Sequence, residues 1–241
     1  MITGAGASGR RAVLERLWRE IMQVRPEGHA LIGLDGVDGA GRTRLAAELA
    51  AIAAHERGRP AVTVSIDGFH RPRAERLAAG TGPDGFYRAS YRYDAFRRSV
   101  VEPLRAGRPI VPAVWEVARD APVDPDPVQV PPGGIVLVDG IFLQRPGLRD
   151  VWDAAVWVEV PFAVSVPRGN ARFPGMREAA PEAPSNRRYV QGQRLYLAEA
   201  APAERARWIL DNTDLARPRL RDQRGGVSGA EHIDAPAVEP S

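Results

Sequence analysis

Four places in the sequence hold residue types suited to gripping a phosphate group. The first is Gly36-Val37-Asp38-Gly39-Ala40-Gly41-Arg42-Thr43. It fits G-x-x-x-x-G-K-[ST] at every position but one, where Arg42 stands for lysine. Glycines let a backbone wrap an anion closely and reach dihedrals that side chains oppose. The N–H groups of Arg42, Thr43 and Arg44 would then open a helix toward that anion, and the Thr43 hydroxyl is placed to hold Mg²⁺. The second is Asp67, in Asp67-Gly68-Phe69-His70 after a short apolar run. The third is Asp139, at the end of Ile135-Val136-Leu137-Val138. Carboxylates at the carboxyl ends of strands are where open α/β sheets carry chemistry. Asp139 has the position that holds Mg²⁺ directly or through water, although either aspartate could instead cap the turn that follows. The fourth is Arg168 with Arg172, one helical turn apart, either a solvated pair or a phosphate clamp.

These residues need elements to place them. Residues 31–34 form a short apolar run before the glycine turn, and Leu45, Leu49 and Ile52 continue after it at helical spacing. That predicts strand, turn, helix. Further strands are expected at 61–66, 110–115, 135–138, 155–160 and 208–210. Helices are expected at about 10–24, 94–106, 161–172 and 187–200. The 135–138 run is continuous and β-branched, as in a buried central parallel strand. Residues 80–92 read as a loop over a site, and 119–134, rich in proline, as irregular. Residues 4–9 spell G-x-G-x-x-G, but no strand precedes them; Ser8 would cap the first helix at the end of a loose arm. The alternation predicts an α/β fold, a doubly wound, mostly parallel sheet with helices on both faces. The organisation expected is an arm and helix at 1–27, one domain at 28–214 and a disordered tail at 215–241.

Composition narrows the function. The chain has 241 residues with a net charge of +3 and no cysteine, which excludes disulfides, a thiolate nucleophile and thiolate metal sites. All 33 basic residues are arginine, interleaved with acids, so charge argues little for a nucleic-acid partner. No apolar run reaches the ~18 residues of a membrane span, and the first residues lack the pattern of a secretory signal. A cytoplasmic enzyme is expected.

Taken in order, the motifs GVDGAGRT, IDGFHRPR, SYRYDAF, PAVWE, IVLVDGIF, RDVWDAAVWVEVPFAVSVPRGNAR, NRRYVQGQRLYLAEA and ILDN resemble the P-loop kinase group of uridine kinases, phosphoribulokinase and type I pantothenate kinase. The chain looks most like the uridine-kinase-like members over about residues 30–213. The resemblance implies ATP and Mg²⁺, a small-molecule substrate, and a lid at about 161–186; residues 173–186, polar with four prolines or glycines, should be mobile. No nucleic-acid or membrane partner is expected, and a homo-oligomer is left open. It implies phosphate contacts from Gly36, Asp38, Gly39, Ala40, Gly41, Arg42, Thr43 and Arg44, metal contacts from Thr43 and Asp139, and adenine near Asn212. Asp67 would accept the proton of the acceptor hydroxyl, and Arg168 and Arg172 would close on the transferring phosphate beside Arg42. Phe69, His70, Tyr93, Asp94, Trp115 and Arg188 would join Asp67 in holding the acceptor. Three departures stand out: Arg42 for lysine, Trp115-Glu116 where uridine kinases have Tyr-Asp, and no histidine after that pair. The acceptor could therefore be a nucleoside, pantothenate or a sugar, or the chain could bind nucleotide with little turnover.

Overall fold

The computed structural model describes residues 4–172, 175 and 177–224, without the side chains of 4–8. The chain runs α1 (Gly4–Ile21), β1 (Ala30–Gly36), α2 (Arg42–His55) and β2 (Ala61–Ser65), then a 3₁₀ turn Ile66–Phe69. Next come α3 (Arg73–Ala78), α4 (Pro83–Ala89), and α5 (Tyr93–Phe96), which continues through a π turn, Arg97–Val101, into α6 (Glu102–Arg105). A two-residue hairpin, β3 (Trp115–Glu116) with β4 (Ala121–Pro122), precedes β5 (Ile135–Gly140) and β6 (Ala154–Glu159). The rest is α7 (Phe162–Asn170), α8 (Arg187–Ala200), α9 (Pro202–Arg205), β7 (Trp208–Asp211) and β8 (Arg219–Asp222).

Six strands form one sheet in the order β2-β5-β1-β6-β7-β8, parallel except for β8. The mostly parallel α/β architecture expected from the alternation is thus present. Parallel neighbours need crossover connections, and helices supply them. β1 and β5 are buried along their whole length, as their unbroken apolar runs require. Their carboxyl ends lie side by side, with Leu34 opposite Asp139 and Asp35 opposite Gly140, and Ser65 of β2 flanks Asp139 on the other side. The sheet thereby delivers the glycine turn and both strand-end aspartates to one edge. Among the described residues no helix is long and apolar enough to cross a membrane.

Four local expectations are corrected. The first helix starts at Gly4, so residues 4–9 are neither a loose arm nor capped at Ser8. Residues 83–89 are helical, with Pro83 in the first turn; proline is preorganised there and needs no N–H partner. Gly192 of α8 leaves room for α4, since a Cβ there would lie 2.7 Å from the Phe86 ring. Residues 110–114 form no strand, and only Trp115 joins the short hairpin strand β3: Ile110 makes a single bridge with Val128, and the prolines at 109 and 112 remove donors a ladder needs. Finally, 215–224 is not a disordered tail. Arg219–Asp222 adds an antiparallel edge strand to β7, with Leu220 against the core and arginines on either side of it, a charged edge that discourages further pairing. Residues 225–241, the rest of the expected tail, lie outside the described residues.

Arg10 pins α1 to this edge. It is 3% exposed, it ion-pairs with Glu48 of α2 at 2.6 Å, and its other nitrogen donates to Asn212 Oδ1 and Leu215 O. Arg10→Ala should cost about 3 kcal/mol in urea denaturation, because it strands a buried amide oxygen and a half-buried carboxylate. A loss under about 1 kcal/mol would contradict that anchoring role.

Candidate active site

The loop between β1 and α2 takes its shape from its glycines. Gly39 and Gly41 have φ of +77° and +92°, left-handed values that a side chain resists. A Cβ on Gly36 would lie 2.7 Å from Val158 O. The first N–H groups of α2 have no partner inside the helix and open at the carboxyl edge of the sheet. Asn212, expected near adenine, is fully buried. Its amide donates to Ala40 O at 2.7 Å and its oxygen accepts from Arg10. The side chain is therefore spent on bracing the loop, which corrects a ligand role for it. The Arg44 side chain turns outward to Glu48 along α2, leaving only its backbone available to a phosphate.

The carboxylates converge on one cleft of about 290 Å³ lined by Asp38, Arg42, Thr43, Asp67, His70, Tyr91, Asp139, Arg172, Arg177 and Arg188. Thr43 Oγ1 donates to Asp139 Oδ2 at 2.7 Å. Burial pushes the Asp139 carboxyl up, and the Thr43 hydrogen bond and the Arg42 charge oppose that shift. Asp67 differs: its side chain is 66% exposed, with Tyr91 Oη donating to Oδ1 at 2.9 Å. His70 packs at a tilt against Tyr91 with ring centres 4.4 Å apart, and burial lowers its imidazole pKa despite the neighbouring Asp67 charge.

The arginines divide their work. Arg42 Nη1 donates to Gly36 O at 3.0 Å and Nη2 lies 4.0 Å from Asp38 Oδ1. Its Nε is buried without a partner. Arg172 donates to Asp38 Oδ1 at 2.7 Å. Arg168 instead donates to the carbonyls of Asn212 and Thr213. The two do not share a helix face, because α7 ends at Asn170 and Arg172 lies beyond it; the expected matched pair is corrected. In the segment after α7, Asn186 donates to the carbonyls of Glu178 and Ala180 at 2.8 Å and folds it on itself. Residues 173, 174 and 176 of the expected lid lie outside the described residues.

Several acceptor candidates stand elsewhere. Phe69 is fully buried, edge-on to Phe96 at 5.4 Å, so it belongs to the core. Asp94 is exposed and paired with Arg98 at 2.9 Å, on the solvent side. The Tyr93 ring lies under Arg145, 4.5 Å away, and burial lifts its phenol to about 12. Trp115 packs near Arg92 at 5.6 Å, and its neighbour Val117 lines the cleft. Arg188 does reach the cleft, with Nε buried and without a partner. Sequence reasoning missed Tyr91, which faces Asp67 where Tyr93 does not, and Arg177, stacked 3.9 Å over Tyr189. The alternation Tyr91-Arg92-Tyr93 was the available signal for Tyr91.

The residues present fit a nucleotide and Mg²⁺. Thr43 and Asp139 lie together and, with Arg42, line a cleft at a helix N-terminus. Among the described residues no group of three or more acidic or histidine side chains gathers for a metal. A Mg²⁺ ion held with a nucleotide uses one or two protein oxygens and completes its shell with phosphate and water.

No family model matches the chain, and no curated protein matches it in sequence. Solved structures do. A possible uridine kinase from Bacillus stearothermophilus aligns with TM-score 0.67 at 20% identity, over 83% of this chain and 98% of its own. A provisionally assigned fructose transport system kinase from Silicibacter sp. TM1040 aligns with TM-score 0.65 at 24% identity, over 78% and 95%. The YGR205w protein aligns with TM-score 0.58 at 12% identity, over 87% and 98%. With its glycine turn, strand order and strand-end aspartates, the chain has the mostly parallel α/β fold of these kinase-type structures.

Proposed function

We propose that the chain is an ATP-dependent kinase that phosphorylates a hydroxyl of a nucleoside or nucleoside-like small molecule. The observation that carries this reading is the shared cleft: an exposed Asp67 held by Tyr91 faces the Thr43–Asp139 pair and the loop that carries Arg42. Phosphoryl transfer asks a protein for alignment and charge cancellation more than for covalent chemistry. ATP supplies the phosphoryl group, and Mg²⁺ offsets charge on its oxygens. The backbone of 36–43 would cradle phosphates, and Thr43 and Asp139 would hold the metal. Asp67 orients the acceptor hydroxyl and takes its proton, on Oδ2 because Tyr91 holds Oδ1. Arg172 leaves Asp38 for the phosphate and, with Arg177 and Arg188, excludes water that would compete as acceptor. A sugar hydroxyl is the second reading. It is favoured by Trp115-Glu116 in place of the Tyr-Asp of uridine kinases and by the provisional assignment of one neighbour as a fructose transport system kinase. The test is ADP release from ATP–Mg²⁺ with nucleosides, pantothenate and small sugars offered singly. One acceptor class should raise the rate well above the acceptor-free rate; no response to any of them would contradict a kinase.

Arg42 fits this reading as an adapted residue. Its fork is anchored at one corner on Gly36 O, with Nη2 turned toward Asp38 and Nε buried without a partner. An ammonium is compact and lacks the fork. Arg42→Lys should therefore lower kcat about tenfold, with a smaller change in KM for ATP. A tenfold rise would mean that arginine is a handicap here.

A further inference from the structure

Asp35 stands one residue before the glycine turn and is fully buried. Its Oδ1 accepts from Gly36 N–H at 2.8 Å. Its Oδ2 accepts from Gln144 N–H at 3.2 Å and from the Tyr196 hydroxyl. These donors are all neutral. Arg42 is the positive charge that acts on the carboxylate, partly opposing the upward push of burial and adding to the pull of the Tyr196 hydrogen bond. The two residues meet at one glycine: the N–H of Gly36 is held by Asp35 and its carbonyl holds Arg42 Nη1 at 3.0 Å. Asp35 thus holds the peptide on one side of the Gly36 Cα, and the guanidinium hangs on the carbonyl of the next peptide.

Tyr196 carries the connection further. It belongs to α8, which follows the lid segment and presents Arg188 and Tyr189 to the cleft. Gln193 of the same helix accepts from Asp38 N–H at 2.5 Å. The helix therefore grips the loop on both sides, at Asp35 and at Asp38.

We propose that Asp35 and Tyr196 are positioning residues for Arg42, fixing its guanidinium through Gly36 at the cleft wall where a terminal phosphate would lie, and tying that placement to α8. The proposal rests on the kinase reading of the cleft. Neither residue touches substrate. Each acts through the loop, and together they explain how arginine serves where the motif has lysine. A satisfied buried network could also be mere structure, so the test reads a quantity that stability does not move.

The measurement is calorimetric titration of ATP–Mg²⁺ and ADP–Mg²⁺ into the full chain. It uses wild type, Tyr196→Phe and Asp35→Asn, and both again with Arg42→Lys. Tyr196→Phe keeps the ring packing against Tyr87 and Phe142, so one variant remains folded even if Asp35→Asn does not. The preference for ATP over ADP, the ratio of their Kd values, reports contact with the terminal phosphate. It should fall about fivefold in Tyr196→Phe and about tenfold in Asp35→Asn. In the Arg42→Lys background neither should change it more than about twofold. An unchanged ratio in Tyr196→Phe, or equal losses in both backgrounds, would overturn the proposal. A wild type that binds both nucleotides but phosphorylates no acceptor would fail the kinase reading alone, with the ratio still deciding this one. A wild type that binds neither would end both.

Discussion

Asp67→Asn should lower kcat about 10³-fold while ATP affinity stays within about twofold, since a placed general base contributes roughly 10²–10⁴. The substitution keeps the shape of the side chain and the acceptor for Tyr91, removing only the ability to take a proton. Asp67 is suited to that task because it is exposed to the cleft and at the end of β2, and it lies outside the glycine loop that would grip the nucleotide. Loss of turnover with retained binding is the pattern of an interaction made only in the transition state. Steady-state kinetics and nucleotide titration check it. A variant with near wild-type kcat would remove Asp67 from the chemistry, and a parallel collapse of ATP binding would make it a nucleotide ligand.

Asp139→Ala should weaken nucleotide binding about 30-fold with Mg²⁺ present and change it by no more than about twofold in EDTA, because the carboxylate acts through the metal. The sign of the stability effect separates this from misfolding. Burial holds the Asp139 carboxyl above its ordinary range, so the fold carries the ionised form at a cost. Its removal should leave the melting temperature level or raised. The same shift means that metal-dependent binding is lost on acidification at a higher pH than an ordinary carboxylate would give. Equal losses with and without Mg²⁺ would contradict the metal role.

Most of the sheet could be read from the sequence because its signals are local. The unbroken runs before Asp35 and Asp139 mark buried parallel strands, the glycines mark the turn, and 187–200 coincides with α8. Thr43, Asp67 and Asp139 could be placed together because parallel strands deliver their carboxyl ends to one edge. What escaped is what distant partners decide. Asp35 reads as the end of a strand until Tyr196, 161 residues away, is found bonded to it. Asn212 reads as a ligand until Arg10 and Ala40 consume its amide. Arg168 and Arg172 are one turn apart in sequence, but the end of α7 at Asn170 separates them. Arg219–Asp222 is too short and too charged to read as a strand, and pairs only because β7 offers an open edge. The comparisons follow the same division: solved structures share the fold at 12–24% identity.

The most direct measurement of the central claim follows the label of γ-labelled ATP with the acceptor identified by ADP release. In wild type the label should appear on the acceptor hydroxyl at least about tenfold faster than as inorganic phosphate, since the closed cleft excludes water. In Asp67→Asn that excess should vanish. Label appearing only as inorganic phosphate, or remaining in ATP under every acceptor, would show that this cleft binds a nucleotide without transferring its phosphoryl group.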